Sequence, residues 1–220
     1  MFARRVVRNL SRNATRAMST QAPALAQKAS APWIVAAGIT AATALAFSAP
    51  AQNKAAPRVT PYTGVAGTKH ERTFIAIKPD GVERGLISEV IGRFEKKGYK
   101  LVAMKLMTAT EARASEHYAD LAGRPFFGGL VKYFASGPIV CMVWEGTDVI
   151  LTGRKILGAT NPNQAAPGTL RGDNCISTGR NLVHGSDGPD SAKHEIGMWF
   201  TQAEIQDYTR SIDEWVVADN

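Results

Sequence analysis

The chain reads as an α+β sandwich: a ferredoxin-like, four-stranded antiparallel sheet with surrounding helices. Three observations predict it. Short apolar runs with strand character lie at 72–77, 102–106, 139–144 and around His184. Helical patterns alternate with them in the order β-α-β-(α)-β-α-β-α, which fits a split βαβ plan with helices on one face of the sheet. Turn residues fall between the runs, at Pro79-Asp80-Gly81, at Gly98 and through 158–173.

Each element has its own warrant. The run 72–77 ends in Lys78, just before the turn sequence Pro79-Asp80-Gly81. Leu86, Ile87, Val90, Ile91 and Phe94 share one helical face, and Gly98 closes that helix. Val102, Met104 and Leu106 alternate with Ala103 and Lys105, the period of a strand. Residues 110–121 and 125–134 read as two short helices. Residues 139–144 are apolar on both faces, which marks a central strand. A helix over 149–157, a Gly/Pro/Asn loop over 158–173, the strand carrying His184 and a helix over 191–199 complete the set. A sheet of this kind leaves an edge and apolar surface to cover, which favours oligomers.

Charge is divided unevenly along the chain. The formal net charge is +7, yet residues 1–70 carry nine Lys and Arg and no acid, while 71–220 carry seventeen against nineteen acids. The basic character belongs to the N-terminal segment, so bulk charge does not argue for a nucleic-acid partner, and none is expected. Arg4, Arg8, Arg12 and Arg16 recur every four residues, with Phe2, Val6, Leu10, Ala14 and Met18 offset by two. On a helix these stripes fall on opposite faces. Residues 1–32 therefore read as a mitochondrial presequence.

An uncharged, Ala-rich stretch follows over 33–49, between Pro32 and Pro50. As a helix it would span roughly 26 Å, short of a ~30 Å hydrocarbon core. Residues 33–50 are read as a second sorting signal that halts the chain at the inner membrane and releases it to the intermembrane space. The matrix, a retained membrane anchor and the plastid thylakoid lumen are the alternatives. Residues 51–70 lack periodicity and read as a linker, so the folded domain should begin near Glu71. Cys141 and Cys175 are too few for a disulfide framework; Cys141 lies in an apolar run and Cys175 in a polar loop region.

The functional signal centres on His184. Its apolar run stops at Gly185-Ser186-Asp187, which places the imidazole at the rim of a sheet. Lys78, Arg154 and Arg171 are cations of the kind that hold phosphate. A histidine among them points to phosphoryl transfer through the imidazole, since a ring nitrogen neutral near pH 7 is a competent nucleophile. No Walker-type Gly-rich loop is present. His70, His117 and His194 lack metal-ligand spacing and read as surface or helix residues.

Five blocks then carry a resemblance. They are 73–81 (Thr-Phe-Ile-Ala-Ile-Lys-Pro-Asp-Gly), 124–127 (Arg-Pro-Phe-Phe), 158–162 (Gly-Ala-Thr-Asn-Pro), 168–173 (Gly-Thr-Leu-Arg-Gly-Asp) and 181–187 (Asn-Leu-Val-His-Gly-Ser-Asp). In this order they resemble nucleoside diphosphate kinases, from about Glu71 to Trp215, so 71–220 is expected to be that domain. The resemblance implies a Mg²⁺-assisted ping-pong exchange. The γ-phosphoryl group of a nucleoside triphosphate, mainly ATP, would pass to a nucleoside diphosphate through a phosphohistidine on the Nδ1 atom of His184, maintaining nucleotide pools.

The same resemblance assigns roles residue by residue. Glu195 would hold the His184 ring and Ser186 would be its polar neighbour. Lys78, Arg154 and Arg171 would clamp phosphate, with Thr160 and Tyr118 as hydrogen-bonding and pocket residues. Asn181 would meet the ribose and Phe126 would stack on the base, with Phe127 packing inward. Thr178 stands where the family commonly has Val, and Asn174 where it has an aromatic, which predicts a mild affinity change and a looser loop. The metal would arrive on the nucleotide phosphates rather than on side chains. A homohexamer is also implied, with 158–173 and the C-terminal residues contributing contacts. A membrane-tethered scaffold and a protein-histidine kinase are the competing roles.

Overall fold

A computed structural model describes residues 57–217. The segments expected as presequence and sorting signal, 1–32 and 33–50, lie outside the described residues. Among the described residues no helix is long and apolar enough to cross a membrane.

The elements run β1 (Arg72–Ile77), α1 (Pro79–Glu83), α2 (Ile87–Lys97), β2 (Lys100–Thr108), α3 (Glu111–His117), α4 (Phe127–Phe134), β3 (Pro138–Glu145), α5 (Val149–Leu157), α6 (Leu170–Asn174), β4 (Val183–Gly185), α7 (Pro189–Trp199) and α8 (Asp213–Val216). Short 3₁₀ turns occupy Ala119–Leu121, Pro162–Gln164 and Gln202–Glu204. The sheet order is β2-β3-β1-β4, and all three pairings are antiparallel. The expected four-stranded antiparallel sheet with surrounding helices is therefore present.

The strand pattern explains the layers. β1 is buried along its whole length, as a central strand with covered faces should be. Phe74 and Ala76 point into one core with Cys141, Val143, Phe134, Ile196 and Trp199. Ile75 and Ile77 point into the other with Met142, Trp144, Phe94, Leu157 and Leu182. Helices on one face alone were expected, and that expectation is corrected. The crossover helices α2 and α5 take one face, while α3, α4 and α7 cover the other. The reason is the inserted pair between β2 and β3, whose apolar sides have nowhere else to pack.

Local chemistry sets the ends. Gly98 caps α2 at φ +103°, where a Cβ would also meet Val216. Thr110 caps α3 by accepting from the Arg113 amide at 3.2 Å. The expected turn after Lys78 is instead the short helix α1, begun by Pro79 at its first position. The long loop 158–173 likewise contains the start of α6, capped by Thr169 accepting from Gly172 N–H at 3.1 Å. Asn174, the departure noted above, ties back to the Leu170 carbonyl at 3.0 Å.

Residues 57–70 were read as linker, but they are anchored to the domain. The Arg72 guanidinium donates to the Tyr62 carbonyl at 2.7 Å, and the Val59 amide donates to Asp207. Arg72 itself is fully buried between Glu145 and Asp207, and Lys100 reaches the same Glu145 at 2.6 Å. The packed unit thus extends N-terminal of Glu71, because its partners come from the far end of the chain. Cys175, expected in a polar loop region, is buried in the core shared with Ile75.

Candidate active site

Strand β4 is only three residues long and is held by pairing His184 with Ala76 on β1. That pairing brings His184 beside Lys78, which stands at the end of β1. The turn before β4 is sharp: Leu182 has φ +71°, unusual for a branched side chain. Its carbonyl accepts from Lys78 N–H at 2.9 Å and its amide donates to Asp80 Oδ2 at 3.1 Å. These bonds hold the strained residue in place.

Helix α7 returns over the sheet and delivers Glu195. Its Oε1 lies 2.8 Å from His184 Nε2, and its Oε2 accepts from the Ser186 hydroxyl at 2.5 Å. Ser186 in turn accepts from Phe74 N–H at 3.2 Å. An ionised Glu195 can only accept, so Nε2 carries the proton and Nδ1 keeps its lone pair. Burial, and then Lys78, Arg154 and Arg171, push the His184 pKa down to about 3, so the ring is neutral at pH 7. Burial raises the Glu195 pKa, opposed by His117 and the Ser186 hydrogen bond.

The ring faces a cleft of about 1160 Å³. Lys78 Nζ donates to Asn181 Oδ1 at 2.7 Å, and Asn181 Nδ2 donates to the Thr160 carbonyl at 2.9 Å. Burial and the nearby Arg171 lower the Lys78 pKa to about 8. Arg171 is buried and gives three N–H groups to the carbonyls of Gly158, Asn181 and Val183. A guanidinium has five such groups, so donors remain for a ligand. Arg154 donates to the Gly185 carbonyl at 3.2 Å. Tyr118 is buried, and among the described residues its hydroxyl has no partner, an orphan that a ligand oxygen would satisfy. Phe126 is 54 % exposed at the cleft wall, whereas Phe127 packs against the core. Thr160 and Thr178 are exposed and also line the cleft.

The fold therefore brings Lys78, Tyr118, Phe126, Arg154, Thr160, Arg171, Thr178, Asn181, His184 and Glu195 to one cavity. Ser186 is buried behind it and reaches the site through Glu195.

His117 was read as a surface or helix residue; it is a helix residue, and the surface alternative is corrected. It ends α3 but is buried, with its ring centroid 4.4 Å from that of His184. Trp199 Nε1 donates to its Nδ1 at 3.2 Å, while Nε2 is buried and has no partner among the described residues. Burial and His184 hold its pKa well below the usual imidazole value. His194 is exposed, as expected, and His70 is partly exposed.

His117, His184 and Glu195 bring one ligand atom each within 4.8 Å of one another, a spacing that could hold a metal. Two features oppose Mg²⁺ there. Nitrogen donors suit it poorly, and Lys78, Arg154 and Arg171 repel any lone cation. A cation carried on phosphate oxygens fits this cleft better, because the anion it rides on meets those same residues.

Comparison with known proteins agrees with this geometry. A family model described as nucleoside diphosphate kinase matches residues 71–205. Human nucleoside diphosphate kinase A is 60 % identical over 146 residues, covering 66 % of this chain and 96 % of the relative. Nucleoside diphosphate kinase III, chloroplastic/mitochondrial, of Arabidopsis thaliana is 54 % identical over 156 residues, covering 71 % of this chain and 66 % of the relative. A nucleoside diphosphate kinase from Halobacterium salinarum, solved in complex with CDP, aligns with TM-score 0.66 and 47 % identity, over 67 % of this chain and 98 % of that one. The matched region contains the whole sheet and every residue that lines the cleft, and the chain belongs to the nucleoside diphosphate kinase family, as an enzyme of that class.

Proposed function

We propose that this enzyme exchanges phosphoryl groups by a ping-pong route through His184. The observation that carries the reading is the His184–Glu195 pair: Nε2 is engaged at 2.8 Å, which leaves Nδ1 as the nucleophilic atom beside three cations. Nδ1 attacks the γ-phosphorus of a nucleoside triphosphate, chiefly ATP. The bond to the bridging oxygen breaks, the diphosphate leaves, and the phosphoryl group stays on Nδ1. A terminal phosphate oxygen of a second diphosphate, such as GDP, then attacks that phosphorus and restores the free imidazole.

Positioning and charge neutralisation supply most of the acceleration in such a transfer. Lys78, Arg154, Arg171 and the Tyr118 hydroxyl surround the transferring oxygens. Thr160 assists at the phosphates and Asn181 at the ribose. Phe126 stacks on the base, with Thr178 on the cleft wall; stacking accepts every base because each has a π-face. Mg²⁺ carried in with the nucleotide would supply further neutralisation. Glu195, steadied by Ser186, retains the Nε2 proton and balances the positive charge that develops on the ring.

Three broader features belong to the same proposal. The assembly is a homohexamer, a reading supported by exposed Ile176, Trp215 and Leu106. The enzyme resides in mitochondria, in the intermembrane space, with residues 33–49 in contact with the inner membrane at least during sorting. Relatives named for chloroplasts and mitochondria support an organellar address. The exchange maintains triphosphate pools there.

The test is to incubate the full chain with γ-labelled ATP and Mg²⁺, without acceptor, beside His184→Ala. Acid-labile label on the wild type alone, released as GTP by added GDP, is the expected result. A folded, nucleotide-binding wild type that takes up no label would refute the route.

A further inference from the structure

A second set of residues joins the two walls of the cleft, and two of them, Tyr133 and Arg180, are part of its lining. One wall is α4, which begins immediately after Phe126. The other is the 178–182 turn with Lys78. Tyr133, on the last turn of α4, donates its hydroxyl to Asp80 Oδ1. The other oxygen of Asp80 accepts from Leu182 N–H at 3.1 Å. The Arg180 guanidinium lies over the Tyr133 ring, 4.0 Å from its centroid. One carboxylate therefore ties the helix that presents Phe126 to the strained residue between Asn181 and His184.

We propose that Asp80, with Tyr133 and Arg180, is a positioning latch: it fixes the distance between the base-stacking wall and the wall that carries Lys78, Asn181 and His184. This inference rests on the nucleotide reading above and adds residues that touch no reacting atom. Leu182 at φ +71° would relax without its amide acceptor, since left-handed geometry is unfavourable for such a side chain. Relaxation would swing Asn181 away from Lys78, its partner at 2.7 Å. Loss of the Tyr133 hydroxyl would instead free α4 and leave the turn in place.

Asp80 also has an electrostatic duty that a purely structural residue would lack. It faces Lys78 together with Arg171 on α6 and Cys175. His184 on β4 and His117 on α3 lie within electrostatic range of the same amine and are held neutral. Burial and Arg171 lower the Lys78 pKa, and Asp80 raises it. Removing the Asp80 charge therefore lets Lys78 lose its proton at a lower pH.

Tyr133→Phe and Asp80→Asn in the full chain test the latch through ADP affinity, phosphoenzyme formation at saturating ATP, and the pH profile of kcat/KM. Tyr133→Phe is expected to weaken ADP binding about tenfold, the scale of one partly buried hydrogen bond to a charged group. Its alkaline limb should stay in place. Asp80→Asn should move that limb to lower pH, because kcat/KM reports groups of the free enzyme. Unchanged ADP affinity in folded Tyr133→Phe overturns the latch, and this arm decides alone if Asp80→Asn does not fold. The two readings fail separately: an unlabelled wild type defeats the exchange route, while an ADP affinity indifferent to Tyr133 defeats the latch.

Discussion

Replacing Glu195 by Gln isolates the charge on the residue that holds the nucleophile. The carboxylate makes two short contacts, 2.8 Å to His184 Nε2 and 2.5 Å to the Ser186 hydroxyl. An amide oxygen can still accept from Nε2–H, so ring orientation survives. What is lost is the charge facing an imidazole that turns positive as Nδ1 bonds to phosphorus. Hydrogen bonds to charged groups contribute about 1.5–3 kcal/mol, and neutral ones about 0.5–1.5. The difference, about 1–2 kcal/mol, predicts a phosphorylation rate about 5- to 30-fold lower. Rapid-quench measurement of label transfer from saturating γ-labelled ATP reads this step directly. ADP affinity should change less than about twofold, because Glu195 engages the ring and Ser186 rather than the stacking wall. A folded Glu195→Gln protein that phosphorylates at the wild-type rate would show that Glu195 only fills space.

Three further outcomes follow from the same geometry. Phe126→Ala should weaken every nucleoside diphosphate by a similar factor, about 5- to 100-fold, the range of a base–aromatic stack; stability should barely move because the ring is 54 % exposed, and a loss confined to one base would count against stacking. Arg72→Met leaves Glu145 and Asp207 without their buried partner, and urea unfolding should register a loss of about 3–5 kcal/mol. Stability should also fall with acid. Unfolded histidines take up protons below about pH 6.5, while native His184, held to about 3 by burial and cations, does not; stability is complete above pH 6.5 and declines toward pH 3, by up to about 1.4 kcal/mol per pH unit for each such histidine. His184→Asn should show a shallower decline, and a flat wild-type profile from pH 7 to 5 would contradict the burial of these rings.

What the sequence disclosed and what it hid divide along physical lines. Strand periods, the Gly98 cap and the abrupt end of the His184 run are local signals, and they placed β1, β2, β3 and α2 correctly. The five matched blocks held Lys78, Phe126, Thr160, Arg171, Asn181, His184 and Ser186 on short continuous stretches, while Tyr118, Arg154, Thr178 and Glu195 lie between or after them. His117 was missed because its burial is tertiary: Glu111–His117 is a mostly polar helix, and its last residue is turned inward by packing on Phe74, Phe134, His184 and Trp199. Its one available clue was adjacency to Tyr118. Asp80 looked like a turn former, since its partners Tyr133 and Leu182 lie 53 and 102 residues away. Residues 57–70 lacked any pattern of their own because Asp207 and Arg72 hold them, not an internal period. α6 did leave a trace, the Thr169 cap before Leu-Arg-Gly, but five residues carry no amphipathic period.

The electrostatics of the cleft are unfavourable in a way that accounts for its use. Lys78 and Arg171 are buried, and desolvation with a neighbouring guanidinium lowers both pKa values, Arg171 acting on Lys78 and Arg154 on Arg171. Two acids beside these cations are already engaged: Asp80 with Tyr133 and Leu182, and Glu195 with His184 and Ser186. A polyphosphate supplies the missing negative charge, so its binding relieves repulsion already present in the protein. Burial, with Lys78, Arg154 and Arg171, keeps His184 deprotonated before the nucleotide arrives, which preserves the Nδ1 lone pair at neutral pH. Departure from a well-satisfied interior is expected at sites built for chemistry. Here the direction of the departure, excess positive charge around a neutral imidazole, selects an anionic substrate and a nucleophile that needs no base.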